Sequence, residues 1–111
     1  MNIENINKVI AHYSNPNLTI PDWGYSNCVA GVIDELLYNY GDTSGHGLIS
    51  GHRLIVSAFE IDENIAWRLY GGPGAFEFFE AAYPNELKRQ KVVDALVSIR
   101  DTGNFAWNFP S

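Results

Sequence analysis

The apolar residues between positions 29 and 40 repeat with the period of an α-helix. These residues are Val29, Val32, Ile33, Leu36, Leu37 and Tyr40. Side chains three or four positions apart lie on the same face of a helix, so the pattern predicts one buried helical face. Ser26 or Asn27 is the expected N-cap of this helix, and Gly41 is its expected end. The rest of the chain must then supply apolar surface to cover that face.

Three further helices are predicted from the same kind of pattern. The first is a short amphipathic helix that carries Ile3, Ile6, Ile10 and Tyr13. The second has Asp62 as its N-cap and runs to Tyr70. The third begins near Pro84 or Asn85 and ends at Gly103.

The apolar run Leu54–Phe59 fits either a buried helix or a buried strand, because so short a run does not reveal its period. The predicted fold is therefore all-α, a compact single-domain bundle over residues 1–111 with about five helices and a possible short strand at 54–59. With 111 residues, 46% of them apolar, the chain can build a hydrophobic core without a metal or a disulfide.

Aromatic residues of the second half are expected to fill this core. The most crowded group is Phe76, Phe78, Phe79 and Tyr83. Trp67 lies within a predicted helix beside core positions, so we expect it to pack there as well. The tail from Phe105 to Pro110 is too apolar to extend into solvent, so it either folds back on the bundle or contacts another chain.

The charge balance argues against nucleic acid as a partner. Thirteen acidic residues against seven basic ones give a net charge of −6, which repels a phosphate backbone. Acidic residues concentrate between Glu60 and Glu86, and the basic run Lys88, Arg89 and Lys91 follows. The sequence therefore predicts an acidic surface beside a basic one. The acidic surface is either solvated helix surface that keeps the protein soluble, or a face that mimics nucleic acid or docks on a basic partner.

Targeting features predict a cytoplasmic protein. The first residues, Met1–Ile6, lack the basic and apolar regions of a signal peptide. No apolar run approaches the roughly 18 residues that cross a bilayer. The single cysteine excludes an internal disulfide, which fits a reducing compartment.

Cys28 is the candidate nucleophile. At the start of a helix, the helix dipole stabilises a thiolate, and His46 or His52 would then serve as the base of a cysteine hydrolase. No Asn or Asp can be singled out to orient the imidazole. A packed, inert thiol is the alternative, because small side chains also suit close helix packing. An enzyme is the less favoured of the two.

Neither a metal nor a cofactor is expected. Cys28, His12, His46 and His52 share none of the close paired spacings of a zinc site. The Gly71–Gly74 segment lacks the Lys-Ser/Thr of a P-loop, so it is more typical of a helix terminator than of a phosphate-binding loop.

Several short motifs occur in a recognisable order. Trp23 precedes Cys28-Val29-Ala30-Gly31, the segment Ile61–Tyr70 follows, and Thr102-Gly103 comes near the end. This order resembles a family of small uncharacterised proteins that are common in bacteriophages and bacterial genomes. The resemblance implies a helical fold and a phage-type accessory role, and it implies no catalytic residues.

The chain departs from that family at two positions. Such proteins often carry a second cysteine before the Cys-x-Ala-Gly motif and an aromatic residue after it, whereas this chain has Tyr25 and Val32 in roughly those places. A role that needs paired cysteines is therefore not implied for this chain.

The resemblance, the small size and the acidity favour a protein that acts by binding, as an inhibitor or modulator of a host factor, for example one of host defence. One alternative is a protein that sequesters a small molecule such as a nucleotide signal between aromatic faces and glycine loops. The other alternative is the cysteine hydrolase. A host protein is the expected partner, with a homodimer or a small-molecule ligand as alternatives, and neither nucleic acid nor a membrane is expected.

Loop and tail residues make up the expected binding surface, because recognition residues are over-represented in such segments. The surface consists of Trp23, Tyr25, His46, His52, Arg53, Trp107 and Phe109. Trp23 and Trp107 are its expected aromatic contacts, since both lie outside the predicted helices.

Overall fold

The computed structural model describes residues 1–38, 51–105, 107 and 109. Within these residues the chain is helical and has no strand, which confirms the all-α prediction. The helices are α1 (Ile3–Tyr13), α2 (Val29–Ile33), α3 (Gly51–Phe59), α4 (Glu63–Gly71), α5 (Ala75–Glu80) and α6 (Asn85–Thr102). A π-helical segment, Asp34–Tyr38, continues α2. None of the described helices is long and apolar enough to cross a membrane.

The run Leu54–Phe59, which the sequence leaves open between helix and strand, is helical and belongs to α3. Its buried positions are Leu54, Ile55, Ala58 and Phe59. Ser57 is exposed between them, so the buried positions follow a helical rather than an alternating period. The end of α3 is fixed by Asn2, whose backbone N–H donates to the Phe59 carbonyl at 2.7 Å.

Two predicted helix ends are confirmed. The Asp62 carboxylate caps α4 by accepting a hydrogen bond from the Asn64 N–H at 2.8 Å. Gly103 ends α6 in the left-handed conformation, with a φ of 79° that favours glycine. The Gly103 N–H donates to the Ile99 carbonyl at 2.8 Å. Local sequence decides both ends, because each capping residue bonds to its own helix.

The predicted N-cap of α2 is wrong. Cys28 holds this position and makes no capping hydrogen bond with its side chain, so neither Ser26 nor Asn27 is the cap. The Asn27 side-chain amide instead donates to Asp22 Oδ1 at 2.9 Å. The same oxygen accepts from the Gly24 N–H at 2.8 Å, and this bond lowers the pKa of Asp22. The Asn27 side chain, which the sequence predicted as a cap of α2, therefore stabilises the turn before that helix.

The predicted apolar face of this helix breaks where the π segment begins. Its first three members are buried: Val29, Val32 and Ile33. Leu36 in the π segment is nevertheless 45% exposed. A π-turn holds more residues than an α-turn, so the side chains that follow rotate away from the face that α2 sets. Tyr40 and the predicted end at Gly41 lie outside the described residues.

The core is formed where α1 packs on α6 and α3 packs on α4. From α1 it takes Ile6, Val9 and Tyr13. Ile3 is half exposed, contrary to prediction, because it lies at the edge of the buried face of α1, on the same side as the partly buried Ile10. Of the aromatic cluster, Phe78 and Phe79 are buried as predicted, whereas Phe76 and Tyr83 lie at the surface.

Trp23 lies inside this core, with 1% of its side chain exposed. Its ring stacks on Phe79 with 4.0 Å between the ring centroids and 15° between the planes. The indole Nε1–H donates to the Tyr70 carbonyl at 2.9 Å, so the one polar atom of the side chain is satisfied. Trp23 therefore ties the loop before α2 to the end of α4 and to α5.

The segment before Trp23 is held by three polar side chains of α6. Asn85 accepts a hydrogen bond from the Ile20 N–H at 2.9 Å, and Lys88 Nζ donates to the Ile20 carbonyl at 2.9 Å. Arg89 donates to the Leu18 carbonyl at 2.6 Å. Lys88 is only 4% exposed, so the predicted basic surface loses one of its three charges to an internal role.

The Cys-x-Ala-Gly motif packs tightly against the turn before it. Cys28 and Ala30 are buried, and Gly31 lies against the backbone of Tyr25. A Cβ on Gly31 would lie 1.4 Å from the Tyr25 carbonyl oxygen. This part of the motif is explained by close packing, which only a glycine permits at position 31.

We expect Gly31→Ala to destabilise the protein by about 3 kcal/mol or more, at the upper end of the cost of overpacking, because backbone has to move. Urea unfolding followed by circular dichroism measures the loss. Gly103→Ala is the control, since Gly103 is left-handed but its Cβ would meet no atom within 4 Å. That control should lose roughly 1–2 kcal/mol. Equal losses for the two variants would contradict the packing explanation.

Candidate functional site

Two aromatic residues of the expected binding surface lie in the core instead. Trp23 is buried as described above, and Trp107 is 8% exposed. The Trp107 ring meets Phe79 edge-on at 6.1 Å and Phe109 at 5.1 Å. The expectation that Trp23 and Trp107 present their rings at the surface is therefore wrong. Residues in loops and tails of a small protein become core when the helices alone leave its centre unfilled.

The described residues of the C-terminal tail fold back on the bundle. Phe105 is buried beneath the Arg68 guanidinium, which lies 5.2 Å from the ring centroid. Lys91 Nζ lies 5.3 Å from the centroid of the Phe109 ring. Cation–π contacts and burial thus hold the tail, in agreement with the first of the two expectations for it.

Tyr25, another residue of the expected surface, is half buried and holds a buried carboxylate. Its hydroxyl donates to Asp34 Oδ2 at 2.9 Å, and Asp34, in the π segment, is 3% exposed. Burial, and then the bond to Asp34, raise the pKa of Tyr25. π-Turns often occur at functional sites. In this π segment, the hydrogen bond from Tyr25 to Asp34 joins the segment to the turn before α2.

Cys28 is not placed as an activated nucleophile. The thiol is 2% exposed, and its Sγ lies 3.9 Å from the Tyr25 carbonyl oxygen. Burial raises the pKa of Cys28, and this effect exceeds the opposing one of the backbone N–H groups at the start of α2. The geometry therefore favours a packed, protonated thiol over a nucleophile.

His52 and His46 were the candidate bases for that thiol. His52 Nε2 lies 3.2 Å from Glu63 Oε1, and the imidazole stacks on Trp67. Both of these partners belong to α4, whereas Cys28 precedes α2. His46 lies outside the described residues, so its part in a catalytic pair stays a prediction.

We expect Cys28 in the native protein to react with iodoacetamide many times more slowly than Cys28 in urea, because the buried thiol has a raised pKa. Native labelling near neutral pH, followed by mass spectrometry, measures the rate. Raising the pH increases the thiolate fraction, so the native rate should rise only under alkaline conditions. Fast labelling at neutral pH would contradict the burial and revive the hydrolase hypothesis.

Among the residues that the structure describes, the most exposed aromatic side chain is that of Trp67, on α4. Trp67 is 50% exposed, although the sequence predicted that it packs in the core. The buried residues of α4 are Ala66 and Leu69, and Trp67 follows Ala66 by one position. One step along a helix turns a side chain by about 100°, so Trp67 leaves the buried face. Ala66 and Leu69 are three positions apart and share one face of α4. Taking that face as the buried one would have predicted from sequence that Trp67 is exposed.

Neighbouring side chains fix the orientation of Trp67. The His52 ring stacks on it with 4.0 Å between centroids and 14° between planes, and Tyr70 meets it edge-on at 6.1 Å. Glu63, one turn before Trp67, in turn contacts His52. We call this surface, formed by His52, Arg53, Glu63, Trp67 and Tyr70, the Trp67 face.

A shallow groove adjoins the Trp67 face. It has a volume of about 290 Å³ and is lined by Arg53, Val56, Ser57 and Glu63. Tyr38 reaches Ser57, with 3.2 Å between the two hydroxyl oxygens. Of the residues expected to bind a partner, Arg53 is exposed beside this groove. His52 is buried, with 7% of the residue exposed, so it supports Trp67 from below and does not itself face a partner.

A second groove gathers features expected for small-molecule binding. Arg68, Gly72, Pro73, Trp107 and Phe109 enclose about 380 Å³, so the glycine segment and the tail do meet. Trp107 is covered by its aromatic neighbours. The groove thus offers a ligand an arginine and ring edges but no open tryptophan face to stack on.

No protein-family model, curated protein or solved structure matches the chain. The resemblance to small phage and bacterial proteins therefore stays a prediction. Among residues 1–38, 51–105, 107 and 109, no three His, Cys, Asp or Glu side chains are grouped in a way that would hold a metal ion.

We expect Trp23→Ala and Trp67→Ala to differ sharply in stability. Loss of the buried Trp23 should cost about 3–5 kcal/mol, because it empties the core and leaves the Tyr70 carbonyl unpaired. Loss of the half-exposed Trp67 should cost about 1 kcal/mol, the size of one aromatic stack. Urea unfolding measures both. A loss of several kcal/mol for Trp67→Ala would show that it is core and not an open surface.

Proposed function

We propose that this chain is a small accessory protein that acts by binding another protein, and that the Trp67 face is its contact surface. The observation that carries the proposal is an exposed tryptophan held flat against His52. Tryptophan, tyrosine and arginine are the residues most enriched where binding energy concentrates in protein interfaces. All three occur on the Trp67 face, as Trp67, Tyr70 and Arg53.

The fixed orientation of Trp67 also supports binding. Ordering a mobile side chain at an interface costs free energy, so a ring that is already held loses less on association. Trp67 is stacked on His52, and His52 is held by Glu63 at 3.2 Å. A partner would therefore meet a surface that is largely arranged before contact.

The nature of the partner is proposed from the sequence. The resemblance to phage and bacterial proteins points to a host protein, such as a defence factor, that the chain inhibits or modulates in the host cytoplasm. A net charge of −6 disfavours nucleic acid as a competing partner. The buried Cys28 gives little support to the hydrolase alternative.

A photo-reactive amino acid at position 64 tests this proposal. Asn64 is exposed and lies three positions before Trp67, so a cross-linker there samples the Trp67 face. We expect irradiation of bacterial cells that express the protein to yield one cross-linked partner, identified by mass spectrometry. The same group at position 94, an exposed site on α6, is the control and should not capture that partner.

Competition decides whether the capture is specific. Wild-type protein co-expressed in the same cells should suppress the cross-link, whereas co-expressed Trp67→Ala protein should not, because it lacks the central contact. Trp67→Ala must first be shown to be folded by circular dichroism. Equal suppression by both proteins, or capture that excess wild-type protein does not reduce, would contradict the proposed surface.

A further inference from the structure

We infer that the group which covers the open side of Trp67 is a cationic side chain, arginine or lysine, from a basic segment of the partner. This inference rests on the proposed function and specifies the chemistry of its contact. Two features of the Trp67 face support it: a ring with one covered face, and a group of exposed carboxylates around the start of the same helix.

The ring geometry leaves one side of Trp67 available. His52 lies parallel to the indole at 4.0 Å and covers one of its faces. Half of the residue is still exposed, so the exposure comes from the opposite face and the ring edge. The face of an indole carries the negative part of its quadrupole, and tryptophan is the aromatic residue that attracts cations most strongly.

The charges near the ring favour a cation as well. Glu63 lies one helical turn before Trp67, and its side chain is 61% exposed. Glu60 and Asp62, in the connection from α3 to α4, are also exposed. A cation near the indole would therefore lie in the field of these three acidic side chains, on a chain whose net charge is −6.

The basic groups of the same region do not remove this preference. Arg68 is next to Trp67 in sequence, but its guanidinium lies over the Phe105 ring at 5.2 Å. Arg53 is exposed and lines the groove with Glu63. An acidic segment would meet Glu60, Asp62 and Glu63 and be repelled.

Nuclear magnetic resonance of the ¹⁵N-labelled protein tests the inference directly. The chain has three tryptophans, and hence three indole N–H signals, of which Trp67→Phe identifies one. The probes are the peptide acetyl-Gly-Arg-Gly-amide and the same peptide with neutral citrulline or with glutamate in place of arginine. Citrulline keeps the shape and hydrogen-bonding groups of arginine and removes the charge, so it isolates the cationic contribution.

At peptide concentrations of tens of millimolar, we expect the arginine peptide to shift the Trp67 indole signal, with the signals of the buried Trp23 and Trp107 unmoved. The slope of this shift against concentration, which reports the association constant, should be about two- to fivefold smaller for citrulline, the size of an exposed cation–π contact. Glu63→Gln should weaken arginine binding by a similar factor, since it removes charge and keeps a group that reaches His52. The control Glu86→Gln removes an exposed acid on α6 and should leave binding unchanged.

Three results would overturn the inference: equal binding of arginine and citrulline, tighter binding of the glutamate peptide, or an equal effect of Glu63→Gln and Glu86→Gln. Failure here is distinct from failure of the proposed function. If the cross-linked complex requires Trp67 but the arginine peptide does not bind, the binding function stands and the cationic contact is wrong. If arginine binds but no partner is captured, the proposed function fails instead.

Discussion

The burial of Trp23 is the constraint on which the rest of this structure depends. Its ring stacks on Phe79 of α5, and its indole N–H donates to the Tyr70 carbonyl in the last turn of α4. A residue in a loop thereby joins two helices that follow it by more than forty positions. Because so much apolar surface is buried by one side chain, the loop before α2 becomes part of the core.

Polar side chains make that arrangement possible. No strand lies beside the segment before Trp23 within the described residues, so its backbone groups need other partners. Lys88 and Asn85 bond both polar groups of Ile20, and Lys88 becomes buried in doing so. The Tyr25 hydroxyl likewise donates a hydrogen bond to the buried carboxylate of Asp34. Residues that a charge count assigns to the surface are therefore needed inside to satisfy backbone and carboxylate groups.

Two tryptophans and the thiol are buried, and the surface that we propose for binding is the Trp67 face. His52 links the two helices of this face, because it belongs to α3 and its side chain contacts Glu63 and Trp67 of α4. This contact spans eleven positions between His52 and Glu63, so it exists only once α3 and α4 are packed. The surface that we propose for binding therefore lies on packed helices, which hold side chains more precisely than loops do.

By itself, the sequence determined the elements whose signals are local. The helical period, the Asp62 cap and the left-handed Gly103 follow from bonds and side-chain directions within a few residues, so they were predictable. Only the tertiary structure decided that Trp23 and Trp107 are buried, because the burial of residues outside helices depends on the space left between the helices. The exposure of Trp67, in contrast, follows from its position one step beyond the buried Ala66 on α4. The π segment and the pairing of His52 with Trp67 also follow from packing between elements, which no local pattern encodes.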